Sequence, residues 1–361
     1  MIIHKAFKFR IYPNKEQQQQ LAKLFGCCRF VYNYYLALRR DTYKETGKGM
    51  SYAKCSKHLT QLKRDPDFEW LGEASAQSLQ QALRDLDRAF VNFFEGRADY
   101  PKFKSRHHKQ SARYVQRFKM DCAGKRIKLP KIGWVKAVIH RPIEGKMKSC
   151  TVSKSRSGKY FASYMCEVAS PEPEYIGSAV GIDVGLTHFA TLSTGEKIEN
   201  PRYLRKAQKR IKRAQRALSR KKKGSNNRKK AKVQLSKCHE KVANQRRDFQ
   251  HKLSRRLVNE NQVVCMEDLN VTGMMANHHL AQSIADASWG EFKRQLEYKG
   301  EWYGCEVETI DRFFPSTKTC HHCGFINQEL TLKDREWTCP ECGIELDRDV
   351  NAAINILNQV V

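Results

Sequence analysis

Cys320 and Cys323, then Cys339 and Cys342, form two pairs of i, i+3 cysteines, each followed by glycine (Gly324, Gly343), with fifteen residues between the pairs. Cysteines at that spacing aim two thiolates at one ion across a tight turn, and two such turns complete a tetrahedral S₄ shell. A closed shell leaves no position open to substrate, so the expected ion is a structural zinc. A redox or packing role is the competing reading. His321 and His322, inside the first turn, read as knuckle residues and not as ligands. The other nine of the thirteen cysteines are scattered, as free thiols of a reducing compartment would be.

Three acids occupy places that metal-ion catalysis favours. Asp183 follows the small and apolar run Ala179-Val180-Gly181-Ile182, Glu267 follows Val263-Val264-Cys265-Met266, and Asp349 opens the amphipathic stretch Val350 to Leu357. A carboxylate just past a buried strand reaches the rim of its sheet. Three that converge could hold two Mg²⁺ ions, which take oxygen ligands and in pairs activate water and stabilise the leaving oxygen in phosphodiester hydrolysis. Taken singly, each acid is as readily a solvated strand end or a helix cap; only their joint arrangement argues for catalysis.

The elements that must position these groups follow from periodicity. Ile3, Lys5, Phe7, Phe9 and Ile11 alternate with more polar neighbours, predicting a strand that Pro13 ends. Helical spacing follows to about Gly96, with Leu21, Leu24, Cys28, Val31 and Tyr35 on one stripe and Leu79, Leu83, Leu86, Phe90 and Phe93 on another. Short β-rich pieces come next, at Ala112 to Lys119, Arg126 to Leu129, Trp134 to His140, Lys148 to Ser153 and Tyr160 to Val168, separated by Gly and Pro. They suggest a small barrel that the first strand joins, with the helices inserted in it. Pro171-Glu172-Pro173-Glu174 reads as a linker. Beyond it strands and helices alternate as in an α/β layer, with a hairpin through Phe189 to Ile198, a strand at Gln262 to Met266, a helix from Trp289 to Tyr303 and a strand at Val307 to Ile310.

Charge narrows the partner. The 361 residues carry 67 Lys and Arg against 38 Asp and Glu, a net +29, which points to a polyanion. The helix-forming stretch from Pro201 to Arg256 holds 23 of the basic residues and only Glu240 and Asp248 as acids, a net +21. Such a segment repels itself unless a nucleic acid neutralises it, although a solvated helix face is the plainer reading. Lys221, Lys222, Lys223, Arg228, Lys229 and Lys230 are the candidate phosphate contacts. Gln77, Gln81, Arg84 and Arg88 share a helix face opposite Leu79, Leu83 and Leu86, and Gln and Arg can read base edges; an ordinary polar outer face is the alternative. Tyr32, Tyr34 and Tyr35 could stack on bases, with at least one expected in the core. No apolar run approaches the length of a membrane span, and the N-terminus lacks the continuous apolar segment of a secretory signal. The expected compartment is the cytoplasm, with no membrane partner.

In order along the chain, Gly181-Ile182-Asp183-Val184-Gly185, Met266-Glu267-Asp268-Leu269, the double Cys-x-x-Cys and Asp347-Arg348-Asp349-Val350-Asn351-Ala352-Ala353 resemble the TnpB family of transposon-encoded proteins akin to type V CRISPR effectors. The opening Lys5-Ala6-Phe7-Lys8-Phe9-Arg10-Ile11-Tyr12-Pro13 and the helix from Asp85 to Phe94 resemble it too. The resemblance implies a multi-domain α/β chain: an RNase H-like RuvC domain (174–311 and 347–361) with an inserted zinc ribbon (312–346), preceded by a β-barrel wedge domain (1–13 and 111–173) with a helical recognition insertion (14–110). It implies an Asp183, Glu267, Asp349 triad with two Mg²⁺ ions, Asp347 being the alternative to Asp349. It also implies an RNA-guided DNA endonuclease that binds a guide RNA from the transposon end, one protein per RNA, and cuts double-stranded target DNA beside a short transposon-adjacent motif. A cleavage-deficient guided regulator and an accessory transposase are the rival readings. Phe314-Pro315-Ser316-Thr317-Lys318 departs mildly from the family's usual Ser-Ser-Lys lead into the first knuckle.

Overall fold

The computed structural model describes residues 1–107, 109–170, 175–331 and 333–361, and the expected linker at 171–174 lies outside the described residues. The chain divides into two compact units, residues 2–169 and residues 170–361 together with Met1.

In the first unit, β1 (Ile2–Tyr12) buries Ile3, Phe7, Phe9 and Ile11 on one face, as its alternation predicts. Asn14 and Gln17 form a reciprocal capping box that starts α1 (Lys15–Thr46), and Gly47, at φ 65°, ends it by donating to Tyr43 O. Ser51 caps α2 (Tyr52–Leu62); a 3₁₀ segment (Pro66–Glu73) follows, then α3 (Ala76–Phe94). The remaining strands are β2 (Gln110–Tyr114), β3 (Lys119–Asp121), β4 (Arg126–Leu129), β5 (Gly133–Val138), β6 (Lys146–Lys154) and β7 (Tyr160–Ala169). With β1 they make one antiparallel sheet in the order β2-β6-β7-β1-β5-β4-β3. All the strands expected of the small barrel enter this sheet. The expected single strand from Ala112 to Lys119 is instead two strands, β2 pairing with β6 and β3 with β4 at opposite ends of the sheet.

The second unit has β8 (Ala179–Asp183), β9 (His188–Leu192), β10 (Lys197–Glu199), α4 (Tyr203–Ser219), α5 (Asn226–Glu260), β11 (Val263–Glu267), α6 (Val271–Met274), α7 (Ala281–Ala287), α8 (Trp289–Tyr303), β12 (Glu306–Ile310), β13 (Glu336–Thr338), β14 (Glu345–Asp347) and α9 (Arg348–Asn358). Its main sheet runs β10-β9-β8-β11-β12, antiparallel as far as β8 and parallel from β8 through β12. This is the expected RNase H-like arrangement. Both faces are covered. Val180, Ile182, Val264 and Met266 pack with Leu253, Leu257, Phe292 and Leu296 of α5 and α8, whereas Cys265 and Ile310 pack against Ile356 of α9. Helix α9 approaches β8 so closely at Gly181 that an added Cβ would collide with the Ala353 carbonyl. Glycine is the residue that permits this crossing.

Candidate active site and four-cysteine centre

Strand alternation decides which side chains meet. Val180 and Ile182 face α5 and α8, so Gly181 and Asp183 face the α9 side. On β11, Val264 and Met266 likewise face the helices, leaving Cys265 and Glu267 on the α9 side. The parallel register sets Cys265 opposite Gly181 and Met266 opposite Ile182, which carries Asp183 and Glu267 to adjacent strand ends. Helix α9, lying over that face, brings Asp349 in its first turn.

The three acids feel one another. The Asp183 carboxyl is pushed up to about 7, first by burial and then by the charges of Glu267 and Asp349, with Arg348 opposing. Asp183 and Asp349 line a cavity of about 510 Å³ that also receives His188, Lys318, Arg335 and Arg348. Glu267, at the adjacent strand end, has its Oε1 accepting from Ser316 Oγ at 2.5 Å. Asp349 is held by Arg348, with Nη2 to Oδ1 at 3.1 Å, and by Arg335, with Nη1 to Oδ2 at 3.5 Å. An oxygen-only set of three carboxylates, one of them destabilised by its neighbours, fits a hard divalent cation. Cationic side chains on the same cavity suit a phosphate.

Asp347 has other work. Its Oδ1 accepts from Asp349 N and Val350 N as the N-cap of α9, and its Oδ2 pairs with Lys197 Nζ at 2.5 Å. Between the two aspartates, Asp349 is therefore the one that shares the cavity with Asp183. Asp268, beside Glu267, was not singled out by sequence. Hydrogen bonds from Lys293 at 2.8 Å and Arg312 at 2.5 Å hold its carboxyl below the usual range and tie the end of β11 to α8 and to the segment after β12.

The four cysteines converge, with all four Sγ atoms within 4.8 Å of one another. Cys320 faces Cys342 at 3.8 Å and Cys323 faces Cys339 at 3.5 Å. Gly324 and Gly343, at φ 79° and 72°, make the left-handed turns after each pair and donate to Cys320 O and Cys339 O. Such a set of four thiol ligands suits a metal ion. His321 lies beside it, its Nδ1 and backbone N both on Asn351 Oδ1, at 3.0 and 2.9 Å. Among the described residues these cysteines are the group of three or more His, Cys, Asp and Glu side chains drawn tightly enough to hold an ion; the three acids are less closely gathered.

The nucleic-acid candidates divide. Lys221, Lys222, Lys223, Lys229 and Lys230 are exposed around the turn between α4 and α5. Arg228 is half-buried, and its Nη1 donates to Leu218 O and Lys221 O, both at 2.9 Å, closing that turn. The α3 face is not the open surface that its periodicity predicts. Gln81 is buried, and Gln77 is half-buried with its Oε1 accepting from Gln116 N at 3.1 Å. The reason is that α3 packs on α1, α2 and β2, Ser78 Oγ donating to Arg113 O. Arg84 and Arg88 remain exposed, with Arg84 lying over the Tyr52 ring. Tyr32 and Tyr35 are core residues, and Tyr34 is half-buried.

Comparison with known proteins bears on the family and the fold. Residues 163–278 match a family described as "Probable transposase", residues 289–356 one described as "Cas12f1-like, TNB domain", and residues 1–48 one described as "Helix-turn-helix domain". In the structure that last segment is β1 and the single long helix α1. A Streptomyces pristinaespiralis protein named "Putative RNA-guided DNA endonuclease" is 44% identical, over 98% of this chain and 89% of its own. An Escherichia coli (strain K12) relative carrying the same description, InsQ, is 36% identical over 98% of this chain and 91% of its own. Among solved structures, a Cas12f1 complex with sgRNA and target DNA matches with a TM-score of 0.63 at 13% identity, covering 99% of both chains. A mini RNA-guided endonuclease, CRISPR-Cas phi3, matches at 0.51 with 10% identity, over 99% of this chain and 92% of that one. Strand order, the four-cysteine insertion and near full-length similarity together place the chain in the TnpB family, within the OrfB lineage of transposon-encoded proteins.

Proposed function

We propose that this chain is an RNA-guided, Mg²⁺-dependent DNA endonuclease that hydrolyses phosphodiester bonds of target DNA beside a short transposon-adjacent motif. The observation that carries the reading is the convergence of Asp183, Glu267 and Asp349 on one side of the sheet, with the Asp183 carboxyl raised to about 7 by burial and by the other two acids. A pair of bound Mg²⁺ ions would supply an activated water and charge stabilisation for the leaving oxygen. The chain's own residues do the rest: Asp183 and Asp349 present oxygens to the cavity, Glu267 completes the set from β11, and Lys318, Arg335 and Arg348 attract the phosphodiester. On this reading Cys320, Cys323, Cys339 and Cys342 hold a structural zinc that folds residues 312–346 as a ribbon. The exposed lysines at the α4–α5 turn neutralise backbone phosphates, guide pairing supplies the sequence choice, and the protein reads the short adjacent motif. Residues 1–13 and 111–173 would then form the wedge domain and 14–110 the recognition insertion.

The test is cleavage of a matching plasmid by the purified ribonucleoprotein. Wild type should cut in Mg²⁺, and Asp183→Ala should bind the plasmid without cutting. Equal cutting by that variant would remove the mechanism.

A further inference from the structure

Glu267 is reached from the arm that leads into the first cysteine pair. Ser316 on that arm is 3% exposed and donates to Glu267 Oε1 at 2.5 Å. The arm is fastened to α9 by two buried amides one helical turn apart. Asn355 Nδ2 donates to Ser316 O at 2.8 Å and to Thr319 O at 2.6 Å, and Asn351 Nδ2 donates to Thr319 O at 2.7 Å. Asn351 Oδ1 accepts the backbone N–H of His321, the residue after Cys320. An unbroken run of hydrogen bonds thus joins the cysteine turn, α9 and the β11 acid.

We infer that Ser316 is a positioning residue for Glu267, held in place by Asn351 and Asn355, so that the four-cysteine insertion sets the geometry of the acid site and does more than fold itself. The inference rests on the proposed metal role of the three acids. A hydroxyl donating to one carboxylate oxygen fixes the rotation of the carboxylate and leaves the other oxygen for a cation, and loss of such an outer hydrogen bond typically weakens metal binding about 10- to 100-fold.

The test uses the full-length chain freed of nucleic acid and titrated with Mn²⁺, the free ion being followed by its EPR signal and Asp183→Ala serving as background. Ser316→Ala should weaken the Asp183-dependent binding by about 10- to 100-fold while zinc content and melting temperature stay at wild-type values. Ser316→Thr, which keeps the hydroxyl, should restore affinity, and the cleavage deficit of Ser316→Ala should shrink as Mg²⁺ is raised. Wild-type affinity in Ser316→Ala overturns the inference. So does an equal loss in Ser316→Thr, which would assign the effect to packing, or loss of zinc in Ser316→Ala, which would make the serine a folding residue. If wild type takes up no Mn²⁺ beyond Asp183→Ala, the acid-site reading itself fails and this inference falls with it.

Discussion

The four-cysteine centre and the three-acid site solve the same problem, gathering like ligands, in opposite ways. The cysteines come from two turns within 23 residues, Cys320 to Cys342, each turn shaped by its own glycine, and their sulfurs lie within 4.8 Å of one another. The acids come from β8, β11 and α9, spread over 167 residues from Asp183 to Asp349, and meet only because a sheet register and a helix crossing bring them together. The first centre depends on local backbone geometry. The second depends on tertiary packing, and its charges are restrained by neighbours: Arg348 and Arg335 on Asp349, Ser316 on Glu267.

Breaking the local centre should have the largest effect. On the proposed zinc reading, Cys339→Ser removes one of four ligands, and apparent structural-zinc energies are about 10 kcal/mol or more. The purified variant should lack zinc, and limited proteolysis should open residues 312–346 first. Persistence of bound zinc and of protease resistance would show that the ribbon does not depend on a closed S₄ shell.

The packing that builds the dispersed site is tested by Gly181→Ala. The added methyl would lie 2.9 Å from Leu357 N and strike the Ala353 carbonyl, so α9 must move away from β8. A loss of about 3 kcal/mol or more in thermal or denaturant unfolding is expected, with cleavage lost while zinc remains. Simultaneous loss of zinc would mean that the two centres are one cooperative unit.

Asp183→Asn sharpens the electrostatic difference. The folded-state value of Asp183 is raised to about 7 from an ordinary 3.8, so folding favours the protonated acid. That contribution is complete below pH 3.8 and is lost as pH rises through 7. Without divalent metal, wild type and Asp183→Asn should melt alike below pH 3.8 and diverge as pH rises from there to about 7, the gap being complete above 7 with the variant more stable by on the order of a few kcal/mol. Parallel profiles across that range would show that neither burial nor the neighbouring acids raise the Asp183 carboxyl in the folded chain.

The smallest effects belong to the basic turn, where two neighbouring cations should behave differently. Arg228→Ala loses both hydrogen bonds that close the turn and should cost about 1–2 kcal/mol. Lys222→Ala should change stability by less than about 0.5 kcal/mol but lower the salt dependence of nucleic-acid binding, in log units, by about 0.7 to 0.9. An unchanged salt slope would take Lys222 out of the interface.

Legibility in the sequence followed the range of the interactions. The α8 stripe of Trp289, Phe292, Leu296 and Lys299 is buried as its spacing predicts, the lysine included, because its Nζ finds His251 O and Ser254 Oγ at 2.7 Å. Helix α3 misled because amphipathic periodicity assumes one partner and this helix packs on α1, α2 and β2, which buries Gln81. Helices α6 and α7, of 4 and 7 residues, are too short for a period to register. The charge of Arg228 is visible in a sequence, but the carbonyls of Leu218 and Lys221 that its Nη1 satisfies are not.

What the sequence by itself determined is the set of parts: the cysteine turns, whose spacing and glycines are short-range constraints, the strand ends carrying Asp183 and Glu267, and the concentration of positive charge in α4 and α5. Tertiary structure decided how the parts meet. It set Asp349 in the cavity that Asp183 lines while Asp347 caps α9 and pairs with Lys197, and it brought Ser316, Arg335 and Arg348 to the acids. No local pattern encodes those choices, because a carboxylate's surroundings are set by whichever distant strand and helix the register and the Gly181 crossing lay beside it.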